Sequence, residues 1–229
     1  QVTKSGTVPL KWMIAAMLAV AAALNYADRA AISSVLAPLR QDLSLGDVAL
    51  GSIGSLFLWS YSLASPISGV LADRYSRSRL VAFSLAAWSL VTVGTGFSSG
   101  LAMLLVTRVL LGVFESMYLP AATALLASHH DPSTRGTAMG IHSVGLNFGV
   151  VAGGTFAGYL AEHFGWRSGF WVLGAAGLVV AVAAARVLRD EAPPPGTAAT
   201  ARVPLTAGLR RLVRIPSYLI LLSKAMLAG

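Results

Sequence analysis

Four charged residues lie inside long apolar stretches of this sequence. Asp28 and Arg29 are adjacent in the first stretch, and Arg108 and Glu115 lie seven residues apart in the fourth. A charge at the centre of a bilayer costs at least ~2.5–3.5 kcal/mol on insertion scales. Residues seven apart on a helix share one face but lie ~10 Å apart along its axis. Arg108 and Glu115 can therefore line one cavity without an easy direct contact.

These residue types suit two kinds of role in a membrane. A carboxylate in surroundings of low dielectric constant can bind and release a proton near neutral pH. An arginine stays charged and can bind a substrate carboxylate through two parallel hydrogen bonds. One interpretation is therefore proton carriage by the carboxylates and anion binding by the arginines. The other is a structural ion pair, within the fourth helix or between the first and the fourth.

Membrane-spanning helices must position these residues. Hydrophobic residues make up 55% of the 229-residue chain and charged residues 11%, against ~25% charged residues in soluble domains. A spanning helix needs ~20 apolar residues. Six stretches qualify, at residues 12–36, 48–72, 80–97, 101–128, 135–161 and 166–187. The sequence therefore predicts an all-α membrane protein with a six-transmembrane-helix bundle over residues 1–188.

The residues after this bundle differ in composition. Residues 189–214 contain the run Pro-Pro-Pro-Gly at 193–196 and many small residues, which is typical of a flexible linker. A seventh apolar segment begins at residue 215 and is incomplete at residue 229, and the chain starts without a methionine. We therefore expect a longer protein, in which a missing C-terminal half is the partner of this bundle.

Lysine and arginine in the connecting segments predict the orientation of the bundle. Two lie on one side, Arg40 and Arg167, and twelve on the other. The twelve are Lys4, Lys11, Arg74, Arg77, Arg79, Arg135, Arg186, Arg189, Arg202, Arg210, Arg211 and Arg214. This asymmetry places the N-terminus and the linker in the cytoplasm. It also assigns the net charge of +8 to membrane orientation, so we expect the lipid bilayer rather than nucleic acid as a partner. The chain has no cysteine, and we expect no metal and no cofactor.

Two motifs indicate a family. Residues 69–79, GVLADRYSRSR, join the second and third spans and resemble the signature loop G-x-L-x-D-R-x-G-R of the major facilitator superfamily, with Ser76 in place of a glycine. Leu104, Arg108 and Gly112 are spaced like its second motif. The resemblance implies the N-terminal half of a transporter with two three-helix repeats. It also implies a conformational-switch loop of Gly69, Asp73, Arg74, Arg77 and Arg79. Gly69 is expected to permit close helix approach, and a plain positively charged loop is the alternative reading.

Shorter segments resemble the anion:cation symporter family of this superfamily, which includes hexuronate, glucarate and galactonate carriers. They are LNYADR at 24–29, WSY at 59–61, RVLLGVFE at 108–115, GIHSVGLNFG at 140–149 and GWRSGF at 165–170. Spinster-type lipid transporters are similar in the first span and at residues 115–118. We rank them second because Pro120 lies where the anion symporters place it. The resemblance implies a multi-pass protein of the bacterial inner membrane.

The resemblance implies a role for each buried charge. Asp28 and Glu115 are the proton-coupling carboxylates. Arg29 contacts the anionic substrate or pairs with a carboxylate, and Arg108 pairs with Glu115 and reaches towards the substrate. The neutral residues that offer hydrogen bonds to the substrate are Tyr26, Tyr61 and Asn147. For the last two, hydrogen bonds between helices are the alternative.

The fifth span carries a packing signal. Gly145, Gly149 and Gly153 are spaced four residues apart, and small residues at this spacing let two helix backbones approach closely. His142 in the same span is expected to be a packing histidine rather than a proton relay. The neighbouring pair His129 and His130 is expected at the membrane interface rather than in a metal site.

The function that follows is proton-coupled symport of a small organic anion by alternating access. Spinster-like transport of lysolipids or sphingolipids is one alternative, and proton-coupled antiport that exports a drug or metabolite is another. A channel is disfavoured because no repeated selectivity-filter residues appear. An enzyme is not expected because neither H-E-x-x-H nor G-x-S-x-G occurs.

Overall fold

The computed structural model describes residues 8–190 together with Ile215, Pro216 and Ser223. Within residues 8–190 the chain forms eight α-helices. They are α1 (Val8–Ser34), α2 (Leu36–Leu43), α3 (Asp47–Arg74), α4 (Arg77–Gly96), α5 (Leu101–Ser116), α6 (Tyr118–His129), α7 (Pro132–Phe164) and α8 (Trp166–Val187). The linker predicted at residues 189–214 and the seventh helix predicted at residues 215–229 lie outside the described residues, apart from Arg189, Asp190 and the three isolated residues.

Six helical stretches are long and apolar enough to cross a membrane, which confirms the prediction of an all-α bundle with six spans. Helices α5 and α6 together form the fourth span, Leu101–His129, and α2 is too short to be a span. The sequence predicted a first helix that ends at residue 36. Instead α1 ends at Ser34, and α2 follows it along the end of the bundle to Leu43.

The helices extend beyond the predicted spans at their polar ends. Helix α4 begins at Arg77 because the Ser76 hydroxyl accepts a hydrogen bond from the backbone N–H of Arg79 and caps the helix. Helix α7 begins at Pro132. Proline is favoured in the first turn of a helix because backbone N–H groups have no intrahelical acceptor there, so a residue without an N–H loses no hydrogen bond. Apolar composition therefore locates the membrane-embedded part of a helix, and capping residues locate its ends.

The fourth span is interrupted at Met117, between α5 and α6. Pro120 explains the interruption because it has no N–H to donate to the carbonyl of Ser116, four residues earlier. The N–H of Met117 instead bonds to the carbonyl of Phe114 at 3.3 Å, which is a tighter turn. The interruption leaves Glu115 in the last turn of α5, midway along the span.

Three long helix pairs build the bundle. Helix α1 packs along α7, α3 along α5, and α4 along α8. Exchanging the first three spans with the last three converts the first pair into the second and leaves the third unchanged. This pairing is what two three-helix repeats require.

The pair α1 and α7 packs with almost no side-chain separation. Glycines spaced four apart on α7 lie directly against alanines spaced four apart on α1. The contacts are Gly145 with Ala19, Gly149 with Ala23 and Gly153 with Ala27. A Cβ atom at any of these glycines would clash with the facing alanine. The close approach fixes the position of α1, which carries two of the four buried charges.

Candidate functional site

The first cluster of charges joins α1 to α5. Nε of Arg29 donates a 2.7 Å hydrogen bond to Oε2 of Glu115, and the two side chains form an ion pair. The Glu115 side chain is 1% exposed, whereas that of Arg29 is 23% exposed. The accessible edge of the pair therefore belongs to the arginine.

Three aromatic rings surround the guanidinium group of Arg29. Its central carbon lies 4.8 Å from the ring centre of Tyr26, 5.0 Å from that of Phe57 and 4.6 Å from that of Tyr61. Rings hold a planar cation by its faces and leave its edge free for hydrogen bonds. We call Arg29, Glu115 and these three rings the aromatic cluster.

The second cluster lies deeper, between α1, α4 and α5. Asp28 and Arg108 are 4% and 2% exposed. Thr92 donates a 3.1 Å hydrogen bond from Oγ1 to Oδ2 of Asp28, and Nη2 of Arg108 donates a 3.2 Å hydrogen bond to Oγ1 of Thr95. We call these four residues the threonine cluster.

The position of Arg108 corrects the pairing that the family resemblance implied. Glu115 forms its ion pair with Arg29 rather than with Arg108. Arg108 instead points towards Thr95 on α4, and its guanidinium carbon lies 5.9 Å from the ring centre of Phe170 on α8. Arg29 reaches Glu115 from a neighbouring helix, which avoids the separation of ~10 Å along α5 between Arg108 and Glu115.

Some polar atoms around the two clusters are buried without a partner. Within the described part of the chain, no hydrogen-bond partner is present for Oδ1 of Asp28, Nε of Arg108 or Nδ2 of Asn25. Buried polar groups in proteins are usually hydrogen-bonded. The protein therefore leaves part of the hydrogen-bonding capacity of this region unused.

Asn147 lies apart from the two clusters. It is exposed on α7, and its amide donates a 2.8 Å hydrogen bond to the carbonyl of Ser143 in the same helix. The structure thus brings two of the three neutral residues, Tyr26 and Tyr61, to Arg29. The role of Asn147 in substrate binding stays a prediction.

His142 and His130 make contacts between different segments of the bundle. The Tyr118 hydroxyl donates a 2.6 Å hydrogen bond to the carbonyl of Leu18, so at 3.1 Å its oxygen accepts one from Nε2 of His142. This contact ties α1, α6 and α7 together. Nε2 of His130 lies 3.2 Å from the carbonyl of Lys11. No group of three metal-ligating side chains occurs among the residues that the structure describes.

The signature loop is held to its own bundle at several points. Nη1 of Arg77 donates a 3.4 Å hydrogen bond to the carbonyl of Ala124, and the backbone N–H of Ser78 donates a 2.9 Å bond to Oδ1 of Asp190, which follows α8. Apart from the neighbouring residues and the backbone of α3 itself, no described atom lies within 4 Å of a Cβ built on Gly69. The close helix approach expected at Gly69 is therefore not made within this bundle. The switch role of Gly69, Asp73, Arg74, Arg77 and Arg79 stays a prediction.

An exposed ion pair closes the opposite end of the bundle. Oδ2 of Asp42 on α2 accepts hydrogen bonds from Nε1 of Trp166 at 3.1 Å and from Nη1 of Arg167 at 2.7 Å. Nη2 of Arg167 donates to the carbonyl of Ser98 at 3.1 Å. These hydrogen bonds from Trp166 and Arg167 lower the pKa of Asp42 below its ordinary value.

A family model decides the relationship of this chain to known proteins. The model described as Major Facilitator Superfamily matches residues 18–229. The chain belongs to the Major Facilitator Superfamily. This membership confirms the family that the signature loop predicted.

Two curated proteins resemble the chain. It is 35% identical, over 76% of its length, to the probable galactarate/D-glucarate transporter GudP of Bacillus subtilis. It is 33% identical, over 91% of its length, to protein spinster homolog 1 of Homo sapiens. These alignments cover 39% and 41% of the relatives. The chain thus spans about two fifths of their length.

A solved structure of a transporter homologue has the same fold. The crystal structure of a bacterial homologue of the human lysosomal transporter spinster, inward-facing and unoccupied, matches with a TM-score of 0.73 and 25% identity. The match covers 83% of this chain and 47% of the other. The six-span bundle therefore corresponds to about half of that transporter.

Four residues in or beside the two clusters were not predicted from the sequence. They are Phe57, Thr92, Thr95 and Asn25. Phe57 precedes Tyr61 by one helical turn, which is a signal that could have been used. The threonine hydroxyls give a weaker signal because hydroxyls inside helices often bond to their own backbone. Thr95 also does so, through a 3.0 Å bond to the carbonyl of Val91.

Proposed function

We propose that this chain is the N-terminal half of a secondary active transporter that moves a small organic anion, such as a sugar acid, together with protons. One observation carries the proposal. Arg29 lies inside a membrane bundle, paired with a buried carboxylate and caged by aromatic rings, yet remains partly accessible. The relative named as a galactarate/D-glucarate transporter supports an organic anion as the substrate class.

Arg29 is the proposed anion-binding residue. A guanidinium group has five N–H donors, and the hydrogen bond to Glu115 uses the one on Nε. A substrate carboxylate at the accessible edge therefore competes with Glu115 for the same positive charge. Hydroxyl groups of Tyr26 and Tyr61, with the amide of Asn147, bind the substrate hydroxyls in this proposal.

Glu115 and Asp28 are the proposed proton carriers. A proton on Glu115 ends its ion pair and frees Arg29 for the anion, so that anion and proton bind together. A proton on Asp28 changes its hydrogen bond to Thr92 and its attraction to Arg108, which alters the contacts between α1, α4 and α5. Such a change biases the equilibrium between inward-open and outward-open states.

Alternating access completes the proposal. The bundle rocks against a second six-helix half around the central site. The signature loop, with Asp73 and its arginines, latches one face and is released as the halves move. The excess of arginine and lysine on that face supports a cytoplasmic location for the N-terminus and the linker. A bacterial inner membrane is part of the proposal because one relative is bacterial.

Uptake into proteoliposomes tests the coupling. The full-length transporter is expected to take up radiolabelled D-glucarate when the pH outside is lower than inside. Glu115→Gln and Asp28→Asn are each expected to lose this gradient-driven uptake. Unchanged uptake in both variants would refute the coupling assignment.

The control is Asp47→Asn, which removes a carboxylate from an exposed ion pair with Arg40 at 2.8 Å. Its uptake is expected to equal that of the wild type. Uptake driven by the opposite pH gradient would instead indicate antiport.

A spinster-like lysolipid transporter is the second candidate, and one feature of the bundle favours it. An apolar groove of about 510 Å³ runs along α1 and α7 and ends at Leu173 of α8. Such a groove suits an acyl chain better than a sugar acid. A thermal-shift comparison discriminates the two candidates, because stabilisation by lysolipid and by no organic acid would favour the spinster-like function.

A further inference from the structure

Asn25 lies beside both charge clusters without belonging to either. A rotation of 100° per residue places it between Asp28 and Arg29 around α1. It is 2% exposed, and its side-chain amide lies beside the Glu115 carboxylate. The amide nitrogen nevertheless has no hydrogen-bond partner within the residues that the structure describes. Asn25 therefore offers an unused donor next to a buried carboxylate.

In this structure, the Glu115 carboxylate depends on Arg29 for its hydrogen bond. Its Oε2 accepts the hydrogen bond from Nε of Arg29, and its side chain is 1% exposed. If an anion draws the Arg29 guanidinium towards the accessible edge, Glu115 loses this bond and has almost no access to water. An ionised carboxylate in that position needs another donor, or it needs a proton.

We infer that Asn25 is a positioning residue that holds the Glu115 carboxylate when Arg29 binds an anion. The inference rests on the proposed function of Arg29. The charged and titratable groups that face Glu115 are Arg29 and Asp28 from α1, Tyr61 from α3 and Arg108 from α5. Asn25 differs from the three charged groups because it is a neutral donor, and it differs from Tyr61 because its amide does not titrate.

With Asn25 in this role, the site can bind an anion by two routes, of which only the second needs the amide. In the first route, Glu115 takes up a proton and needs no donor. In the second route, Glu115 stays ionised and Asn25 Nδ2 donates to it. The second route matters most in alkaline solution, where protons are scarce. Loss of the amide should therefore weaken anion binding more in alkaline than in acidic solution.

The experiment measures D-glucarate affinity of the full-length transporter by calorimetry, at one mildly acidic and one mildly alkaline pH. Asn25→Leu is expected to lose about tenfold more affinity at the alkaline pH than at the acidic pH. Asn25→Ala provides a smaller substitution in case leucine impairs folding. In a Glu115→Gln background, Asn25→Leu should leave the ratio of the two affinities unchanged, because no carboxylate remains to be held.

Ser98→Ala is the matched control. The Ser98 hydroxyl is also buried without a partner in the described chain, but it lies in the connection between α4 and α5.

Equal losses at both pH values in Asn25→Leu and Asn25→Ala would overturn the inference, because a merely structural role predicts them. If the wild type binds no D-glucarate, the proposed function fails and the inference fails with it. If the wild type binds D-glucarate and the Asn25 variants keep the same ratio of affinities at the two pH values, the inference fails and the proposed function stands.

Discussion

The two clusters contain the same pairing of one carboxylate with one arginine, yet they satisfy these charges differently. In the aromatic cluster the opposite charges touch, at 2.7 Å between Arg29 and Glu115. In the threonine cluster each charged group contacts a hydroxyl instead, at 3.1 Å for Asp28 and 3.2 Å for Arg108. The aromatic cluster is accessible through its arginine, whereas both charged residues of the threonine cluster are buried.

This difference suggests a division of roles between the clusters. An arginine with an accessible edge can exchange one anionic partner for another, which is what substrate binding requires. A buried carboxylate held by a threonine on another helix cannot reach a ligand directly. Its protonation instead changes the contact between helices, which suits coupling to a conformational change.

The largest expected effect comes from Arg108→Leu. It removes the hydrogen bond that Arg108 donates to Thr95 and the cation nearest to the buried Asp28 carboxylate, and a buried charge left without compensation costs about 3–5 kcal/mol. Arg29→Leu is expected to cost less, because the Arg29 side chain is 23% exposed and its replacement by the shorter leucine opens a path for water to Glu115. Thermal unfolding of the purified transporter measures both variants.

A second substitution controls for simple loss of packing. Asp28→Leu added to Arg108→Leu removes the stranded carboxylate and should restore part of the lost stability. Equal losses for Arg108→Leu and Arg29→Leu, with no recovery in the double variant, would contradict the distinction between the clusters.

Thr92→Val is the next largest perturbation. Valine keeps the shape of threonine but removes the hydrogen bond to Asp28, and hydrogen bonds to charged groups contribute about 1.5–3 kcal/mol. Thr107→Val is the matched control because Thr107 is also buried but bonds to the carbonyl of Leu104 in its own helix. Equal unfolding temperatures for the two variants would show that Asp28 does not depend on Thr92.

The sequence predicted these clusters only in part, for a geometric reason. A charge inside an apolar span is visible from one helix alone, so Asp28, Arg29, Arg108 and Glu115 could all be selected. The choice of partner depends on how neighbouring helices are rotated about their axes. The Arg29–Glu115 contact spans 86 residues of sequence, and no local pattern specifies it.

The fold was predictable to a similar depth. Apolar length gave the six spans, and glycine spacing indicated the close packing on α7. The short helix α2 was not predicted because it is too short and too polar to stand out from a connection. The interruption of the fourth span had a signal in Pro120, but that residue was used to choose a family rather than to find a helix end.

Phe57→Leu tests the aromatic cluster with a smaller expected effect. Losing one ring from the guanidinium face is expected to weaken D-glucarate binding about 2–5-fold, which corresponds to a cation–π contribution of ~0.5–1 kcal/mol. Phe83→Leu is the control, since Phe83 packs edge-on against Phe114 at 6.1 Å and contacts no charge in the described structure. Calorimetric titration measures both affinities. Equal values would show that the aromatic rings around Arg29 do not contribute to anion binding.

The smallest effect is expected at the exposed pair of Asp42 and Arg167, which shows how such a pair behaves outside the bundle. Hydrogen bonds from Trp166 and Arg167 lower the pKa of Asp42, whereas the unfolded chain keeps the ordinary value of ~3.9. The stabilising contribution is therefore complete above that ordinary value and is lost as the pH falls through the lowered one. The difference in unfolding temperature between wild type and Asp42→Asn should be small near neutral pH, because exposed ion pairs contribute little, and should shrink further in acid. A difference that stays constant from neutral to strongly acidic solution would mean that the Asp42 charge does not hold α2 against α8.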